Sequence, residues 1–174
     1  LYVGTTSWFC DNNLKAWWNS DSVVFLNKRF TNNKVKKENK KIFLSRKTSK
    51  WRKLVNEDII YSQLKELNFE YVDIENLSLD EQINLAFNSD IIISPLGAGC
   101  LTYLFADKGT KCITLSPSMS SAMFLADLYC GPINLLHKYI YGNITIKDDI
   151  DINSDYRIDQ NINWDQFFNQ VVVN

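Results

Sequence analysis

The sequence has 174 residues, a formal net charge of −1, 45% hydrophobic residues and 22% charged residues. These values are typical of one folded domain with its own core, and they lack the basic excess of most nucleic-acid-binding proteins. No apolar run reaches the roughly 18 residues of a membrane-spanning helix, and no signal-peptide pattern opens the sequence. The chain begins with Leu1 rather than Met, so we expect it to be part of a longer protein.

The four cysteines and the single histidine predict no metal site. Cys10, Cys100, Cys112 and Cys130 form no C-x-x-C pair, and two of them lie within apolar runs. Because such cysteines usually behave as small buried hydrophobic residues, we favour free thiols of a reducing compartment over disulfides. His137 stands alone in an apolar segment, so we favour a structural role for it over a catalytic one.

Residues 1–40 form an N-terminal segment that is partly loop. They hold three tryptophans, followed by a polar stretch near 31–41 that is typical of an exposed loop. Basic residues cluster from 34 to 53. This cluster is either a solvated loop or, where it brackets a strand end, part of an anion site.

From residue 41 onward, strand and helix patterns alternate. Short apolar runs predict strands, and apolar residues three or four apart predict helices. The predicted strands are 42–45, 69–74, 90–94, 112–115 and 133–140, and the predicted helices begin at 57, 79, 98 and 119. Such alternation is typical of crossover connections and a parallel sheet. We therefore predict a three-layer α/β, Rossmann-like domain over residues 41–142.

The remaining residues, 143–174, predict a linker followed by an amphipathic helix. Residues 143–162 are rich in Asp, Asn and Ile and lack clear periodicity. The helix begins after Asn163, a suitable N-cap. The residues with the spacing of one helical face are Trp164, Phe167, Phe168 and Val171. We favour packing of this face on its own domain, with a missing partner domain as the alternative.

The most informative segment joins the strand 90–94 to the next helix through Pro95, Gly97 and Gly99. In open α/β sheets such a junction binds ligands, because glycine allows close backbone approach and the amides at a helix N-terminus attract phosphate. The spacing is neither G-x-G-x-x-G nor a Walker pattern. A tight turn without a ligand is the alternative interpretation.

Two other strands carry candidate ligand-binding residues at the same edge. Arg46 ends the first predicted strand, Arg52 lies six residues later, and Glu75 ends the second strand. Arginine suits bidentate phosphate contacts, and a carboxylate can accept hydrogen bonds from ribose hydroxyls. Since the carboxyl ends of parallel strands meet at one edge, these residues and the Pro95–Gly99 turn predict a nucleotide-diphosphate site.

Several short motifs follow one another between residues 41 and 142. They are Phe43-Leu44-Ser45-Arg46, Arg52, Asn56-Glu57, Glu75-x-x-Ser78-x-x-Glu81-Gln82, Ser94-Pro95-Leu96-Gly97-Ala98-Gly99, Phe105, Gly109-Thr110-Lys111 and Ser116-Pro117. Together they resemble glycosyltransferase family 61, and more closely its bacterial capsular polysaccharide biosynthesis proteins. The resemblance implies the C-terminal, donor-binding half of a GT-B fold, and transfer of a sugar from a nucleotide sugar, with uridine as the expected base, to a glycan or glycolipid acceptor.

The resemblance also implies a set of donor-binding residues. They are Arg46 and Arg52 facing the diphosphate, Glu75, Ser78 and Gln82 near the nucleoside or sugar, and Pro95, Gly97, Ala98 and Gly99 holding the phosphate or sugar. GT-B enzymes generally need no metal, so the nucleotide sugar is expected as a substrate without a further cofactor. The acceptor site and the catalytic base would lie in a missing N-terminal domain, so no catalytic residue is assigned. The expected location is the cytoplasm, with peripheral association at the inner face of the membrane as an option.

One position departs from the family pattern. Leu96 stands where many relatives carry His before Gly-Ala-Gly, so the role of that His is not carried over. This departure favours the alternative of a degenerate, non-catalytic module that binds a nucleotide or a protein partner. The absence of G-x-G-x-x-G and Walker patterns argues against an unrelated epimerase or kinase. Within a genuine transferase, Ser78 with Glu81, and Asn56 with Glu57, can equally serve only the starts of helices.

Overall fold

A computed structural model of the chain describes residues 8–10, 16–18, 20–117, 125–146 and 153–171. The strands are β1 Trp8–Cys10, β2 Ala16–Trp18, β3 Lys40–Leu44, β4 Glu70–Val72, β5 Ser89–Pro95, β6 Lys111–Pro117, β7 Leu136–Ile146 and β8 Asp155–Arg157. The α-helices are α1 Ser20–Thr31, α2 Glu57–Glu66, α3 Leu79–Phe87, α4 Leu125–Cys130 and α5 Trp164–Gln170. The 3₁₀ helices are Ile74–Asn76, Ala98–Phe105 and Gly131–Ile133.

The main sheet has six strands in the order β4-β3-β5-β6-β7-β8, and β1 pairs with β2 separately. Neighbouring strands from β4 to β7 are parallel, whereas β8 runs antiparallel to β7. The chain moves outward from β3 to β4 and then returns to the other side of β3 as β5. The carboxyl ends of β3 and β5 therefore flank a crevice of the kind in which open α/β sheets bind ligands.

Helices cover both faces of this sheet, which gives three layers. The first buried cluster packs strand residues against α1, α3 and α4, and the second packs the alternate strand residues against α2 and α5. Strand residues in the first cluster are Ile42, Leu44, Ile92 and Cys112, and those in the second are Phe43, Ile91, Ile93, Ile113, Leu115 and Tyr156. Burial on both faces explains why these strands read as continuous apolar runs. The architecture is α/β and agrees with the predicted Rossmann-like class.

Helix α1 lies in the N-terminal segment, which the sequence predicts to be partly loop. It buries Val23 completely, while the Asn27 amide donates to Leu104 O at 2.8 Å. The Phe30 ring meets Phe105 edge-on, with ring centroids 5.5 Å apart. Val24, partly buried, also packs against the first cluster. The helix is therefore attached through two adjacent valines, one polar side chain and one aromatic contact, which is not the regular apolar stripe by which helices are predicted.

The segments after β6 also differ from the predictions. Strand β7 starts three residues later than predicted, because Pro132 lies in a 3₁₀ turn that Asn134 ends in a left-handed conformation with φ of 58°. It then continues to Ile146, into the segment predicted as a linker, and pairs there with β8. The helix predicted from residue 119 begins outside the described residues, and its described part is α4.

Asn56 precedes α2 as predicted, but its side chain does not cap the helix. Its amide donates to Ile158 O at 2.8 Å, and its oxygen accepts from the Ile158 N–H at 3.1 Å. Asn163, in contrast, caps α5 by accepting from the Gln166 N–H at 3.0 Å, as predicted. Asn56 therefore joins the start of α2 to the C-terminal segment.

Three cysteines have described side chains. Cys100, Cys112 and Cys130 are buried free thiols, in agreement with the prediction, whereas the side chain of Cys10 lies outside the described part. Among the helices the structure describes, none is long and apolar enough to cross a lipid bilayer.

Candidate functional site

Arg46 lies in the crevice between β3 and β5, with its guanidinium against Gly97. Each residue follows the last residue of its strand by two positions. A Cβ atom at position 97 would overlap the guanidinium, so the missing side chain of Gly97 leaves room for Arg46. Arg46 Nη2 donates to Ser49 Oγ at 2.6 Å, whereas its Nε is buried with no hydrogen-bond partner among the described residues.

Arg52 supplies a second guanidinium. Its φ of 57° is left-handed, a conformation that a long side chain rarely adopts, and its N–H donates to Asn153 O at 3.0 Å. Its Nε is likewise buried and unpaired within the described ranges. Burial, and then the neighbouring charge of Arg46, lower the pKa of Arg52. The side chain nevertheless stays protonated at neutral pH.

The two guanidiniums form no salt bridge with any carboxylate in the part of the chain that the structure describes. Like charges repel, and a half-buried cation is desolvated without a compensating partner. Arg46 and Arg52 therefore define a place where an anion is strongly favoured. They are also the two arginines that the sequence predicts to face a diphosphate, and the structure brings them together.

The Pro95–Gly99 turn adds backbone groups to this site. The first hydrogen bond of the following 3₁₀ helix runs from the Cys100 N–H to Gly97 O at 3.0 Å. The N–H groups of Ala98 and Gly99 therefore precede the hydrogen-bonded part of the helix. Amides at such a position can bind an anion next to Arg46.

Glu57 positions the end of β3 from the first turn of α2. It is 4% exposed and accepts hydrogen bonds from Ser45 Oγ at 2.6 Å, from the Tyr71 hydroxyl at 2.8 Å and from the Arg46 N–H at 3.2 Å. Burial raises the pKa of the Tyr71 hydroxyl, which keeps it a donor. Glu57 belongs to a sequence motif, but its role at the site is not visible in the sequence because its partners lie at the end of β3 and in β4.

We expect Glu57→Gln to lower the free energy of unfolding by about 1–3 kcal/mol. A carboxylate can accept all three donated hydrogen bonds, whereas an amide has one oxygen and would turn its NH₂ toward another donor. Thermal or urea unfolding measures the effect. Glu66→Gln, on the exposed end of the same helix, is the matched control and should change stability by no more than about 0.5 kcal/mol. Equal effects would contradict the positioning role.

Glu75 borders the loop that carries Arg46. It is exposed and accepts a hydrogen bond from Thr48 Oγ1 at 3.3 Å. Its position after β4 places it beside the crevice, where a carboxylate remains available to solvent or to a ligand. A ribose contact by Glu75 stays a prediction.

Ser78 and Gln82 have local partners. Ser78 and Glu81 form the predicted capping box at the start of α3. The Gln82 amide donates to Leu77 O at 3.0 Å and to Ile74 O at 3.3 Å, and so fixes the turn that precedes the helix. The contacts of Ser78 fit the structural alternative raised by the sequence, whereas donor binding by Ser78 and Gln82 stays a prediction.

Cavity size does not by itself select this site. A cavity of about 180 Å³ opens beside Arg46 and Glu57, with Lys47 and Lys53 also in its wall. A larger one, of about 440 Å³, lies beside Asn88, before the start of β5 and thus at the opposite end of the sheet. We place the site at Arg46 because the two guanidiniums with unpartnered Nε atoms and without a carboxylate counter-charge, among the described residues, lie there.

His137 lies away from this edge, between Asp127 and Thr114. Its Nδ1 is 2.6 Å from Asp127 Oδ1, its Nε2 is 2.9 Å from Thr114 Oγ1, and its side chain is 4% exposed. These contacts join α4 to the sheet and agree with a structural role. Within the described ranges, no group of three or more His, Cys, Asp and Glu side chains comes together to hold a metal.

Comparison with known proteins identifies the family. The sequence matches the family model Glycosyltransferase 61 over residues 1–113, a range that includes Arg46, Arg52 and the Pro95–Gly99 turn. The match includes the first 40 residues and ends within β6, whereas the motifs recognised in the sequence run from 41 to 142. Among curated proteins, none matches significantly. Because the family model covers about two thirds of the 174 residues, this chain belongs to glycosyltransferase family 61.

Proposed function

We propose that this chain binds the nucleotide-sugar donor of a glycosyltransferase in the crevice between β3 and β5. The observation that carries the proposal is the pair Arg46 and Arg52, whose buried Nε atoms have no partner among the described residues. A diphosphate would supply the missing counter-charge and accept bidentate hydrogen bonds. It would also offset the repulsion and burial that lower the pKa of Arg52.

This arrangement suits the departure of a nucleoside diphosphate. Negative charge grows on the diphosphate as the bond from the sugar to its oxygen breaks. Arg46, Arg52 and the amides of Ala98 and Gly99 would stabilise that charge from fixed positions. Glu57 contributes by fixing the backbone of Arg46. These groups are cationic or neutral hydrogen-bond donors. In the proposed mechanism they, rather than a metal ion, stabilise the charge of the diphosphate.

The wider proposal follows the family. The chain would form the donor-binding half of a GT-B enzyme, completed by an N-terminal acceptor domain, and would transfer sugar to a glycan or glycolipid in surface polysaccharide synthesis. The doubly wound sheet, with Arg46 and Gly97 at its switch point between β3 and β5, supports this assignment. The proposed location is the cytoplasm or the inner face of the membrane.

One observation favours a second candidate, a module that binds a nucleotide or a protein partner without transferring sugar. Leu96, which precedes Gly-Ala-Gly, is 4% exposed, and its N–H donates to Leu115 O at 2.7 Å. Its side chain belongs to the core and cannot exchange a proton with a substrate. Nucleotide affinity without sugar transfer by the complete protein would support this alternative.

We expect calorimetric titration with UDP, GDP, ADP and CMP to show one preferred nucleotide that binds with micromolar to sub-millimolar affinity, roughly −8 to −5 kcal/mol. EDTA should leave that affinity unchanged, because arginines and amides replace a metal as counter-charges. No binding by any of the four nucleotides, or a strict need for Mn²⁺, would contradict the proposed donor site.

A further inference from the structure

Trp51 is the one large aromatic side chain in the loop between β3 and α2, and it is 50% exposed. Tryptophan is highly buried on average, because its ring carries a large apolar surface, and at interfaces it serves as an anchor. Trp51 belongs to neither of the two buried clusters of the described residues. Trp164, in contrast, is 4% exposed and packs in the second cluster. Trp51 also lies directly before Arg52, at the ligand-binding edge of the sheet.

The loop fixes Trp51 relative to the guanidiniums. Ser49 Oγ accepts from Arg46 Nη2 at 2.6 Å and donates to the Trp51 carbonyl at 3.0 Å. In the same peptide unit, the Arg52 N–H donates to Asn153 O at 3.0 Å. The backbone that carries the exposed ring is therefore fixed beside the two arginines that are proposed to hold a diphosphate.

The surroundings of the ring favour a planar, polar ligand. The Lys50 ammonium lies 5.1 Å from the centre of the Trp51 ring. A lipid chain or an apolar peptide would have to share this surface with Lys50, Arg46 and Arg52. A nucleobase offers a flat face for stacking and carries the anionic diphosphate on the same molecule.

We propose that Trp51 is the stacking platform for the nucleobase of the donor. This inference rests on the proposed donor site and adds to it the residue that separates a nucleotide from a bare diphosphate. Arg46 and Arg52 would bind the anion, and Trp51 would supply the affinity that depends on the base. Stacking tolerates different bases, so Trp51 would contribute affinity for the ring more than choice among bases.

The test compares pyrophosphate with the nucleoside diphosphate, among UDP, GDP, ADP and CDP, that the unmodified chain binds best. Trp51→Ala should lower the affinity for the nucleoside diphosphate roughly tenfold and leave the affinity for pyrophosphate unchanged. Trp51→Phe keeps a flat ring and should recover most of the loss. Phe25→Ala, which removes a 66% exposed aromatic ring from α1, is the control and should change neither affinity.

The outcomes separate this inference from the proposed function. Suppose that the unmodified chain binds pyrophosphate, and that Trp51→Ala either leaves the affinity for the nucleoside diphosphate unchanged or lowers the affinity for both ligands equally. The stacking role is then wrong, while the diphosphate site stands. If Trp51→Ala lowers the affinity only for the corresponding nucleotide sugar, the ring contacts the sugar rather than the base, and the inference is overturned. Failure of the unmodified chain to bind either pyrophosphate or a nucleoside diphosphate would overturn both proposals.

Discussion

Replacing Arg46 by alanine should weaken binding of the preferred nucleoside diphosphate by about 2–3 kcal/mol, roughly 30- to 150-fold. The guanidinium lies within the crevice against Gly97, with a buried Nε that lacks a partner in the described structure. Hydrogen bonds to a charged, partly desolvated group contribute more than neutral ones on the surface. Calorimetric titration of the variant and of the unmodified chain measures the difference directly.

Lys36→Ala is the matched control, because it also removes one positive charge. The Lys36 ammonium contacts Asp90 Oδ1 at 2.7 Å and Ser89 O at 3.0 Å, at the start of β5 and thus at the opposite end of the strand from Gly97. It should leave nucleotide affinity nearly unchanged. Arg46→Lys should recover only part of the loss, since an ammonium cannot reproduce the bidentate geometry. Similar losses for Lys36→Ala and Arg46→Ala would show that net charge, rather than a site at Arg46, governs affinity.

Local patterns predict the sheet and the position of the site because both depend on short segments. The buried isoleucines before Pro95 mark a strand that is covered on both faces, and Ser78 with Glu81 marks a helix start. Parallel strands then place Arg46 and the Pro95–Gly99 turn at one edge without any knowledge of side-chain contacts. The structure confirms these elements and brings Arg46 against Gly97.

The contacts that shape the site connect distant parts of the chain, and local patterns do not contain them. Arg52 adopts its left-handed conformation where its N–H reaches Asn153, about a hundred residues away. Asn56 is a residue type that commonly caps helices, but its side-chain amide donates a hydrogen bond to Ile158 O instead. Strand β8, which these contacts hold in place, lies in a segment where the sequence shows no periodicity. Tertiary hydrogen bonds, rather than propensity, therefore set the final geometry of the loop that carries both arginines.

Gly97→Ala should reduce nucleotide affinity about as much as Arg46→Ala, although it adds a single methyl group. The new Cβ would overlap the Arg46 guanidinium, which lies at the end of a flexible side chain and can move aside. We therefore expect the variant to fold with little loss of stability but with Arg46 displaced from the crevice. Gly97→Val should abolish binding, because its branched side chain also fills the space that the ligand needs. Gly131→Ala is the control, because a Cβ atom at 131 has no neighbour within 4 Å.

A double-mutant cycle separates two ways in which Gly97 could act. If its role is to leave room for Arg46, then adding Gly97→Ala to Arg46→Ala should cost little further affinity, because the methyl group no longer meets a guanidinium. If the ligand instead contacts the Gly97 backbone closely, the two losses should add. The cycle is measured by titration of all four proteins with the same nucleotide, alongside their unfolding midpoints. Unchanged affinity in Gly97→Ala would show that position 97 is only a turn, and that nucleotide binding does not depend on the contact between Arg46 and Gly97.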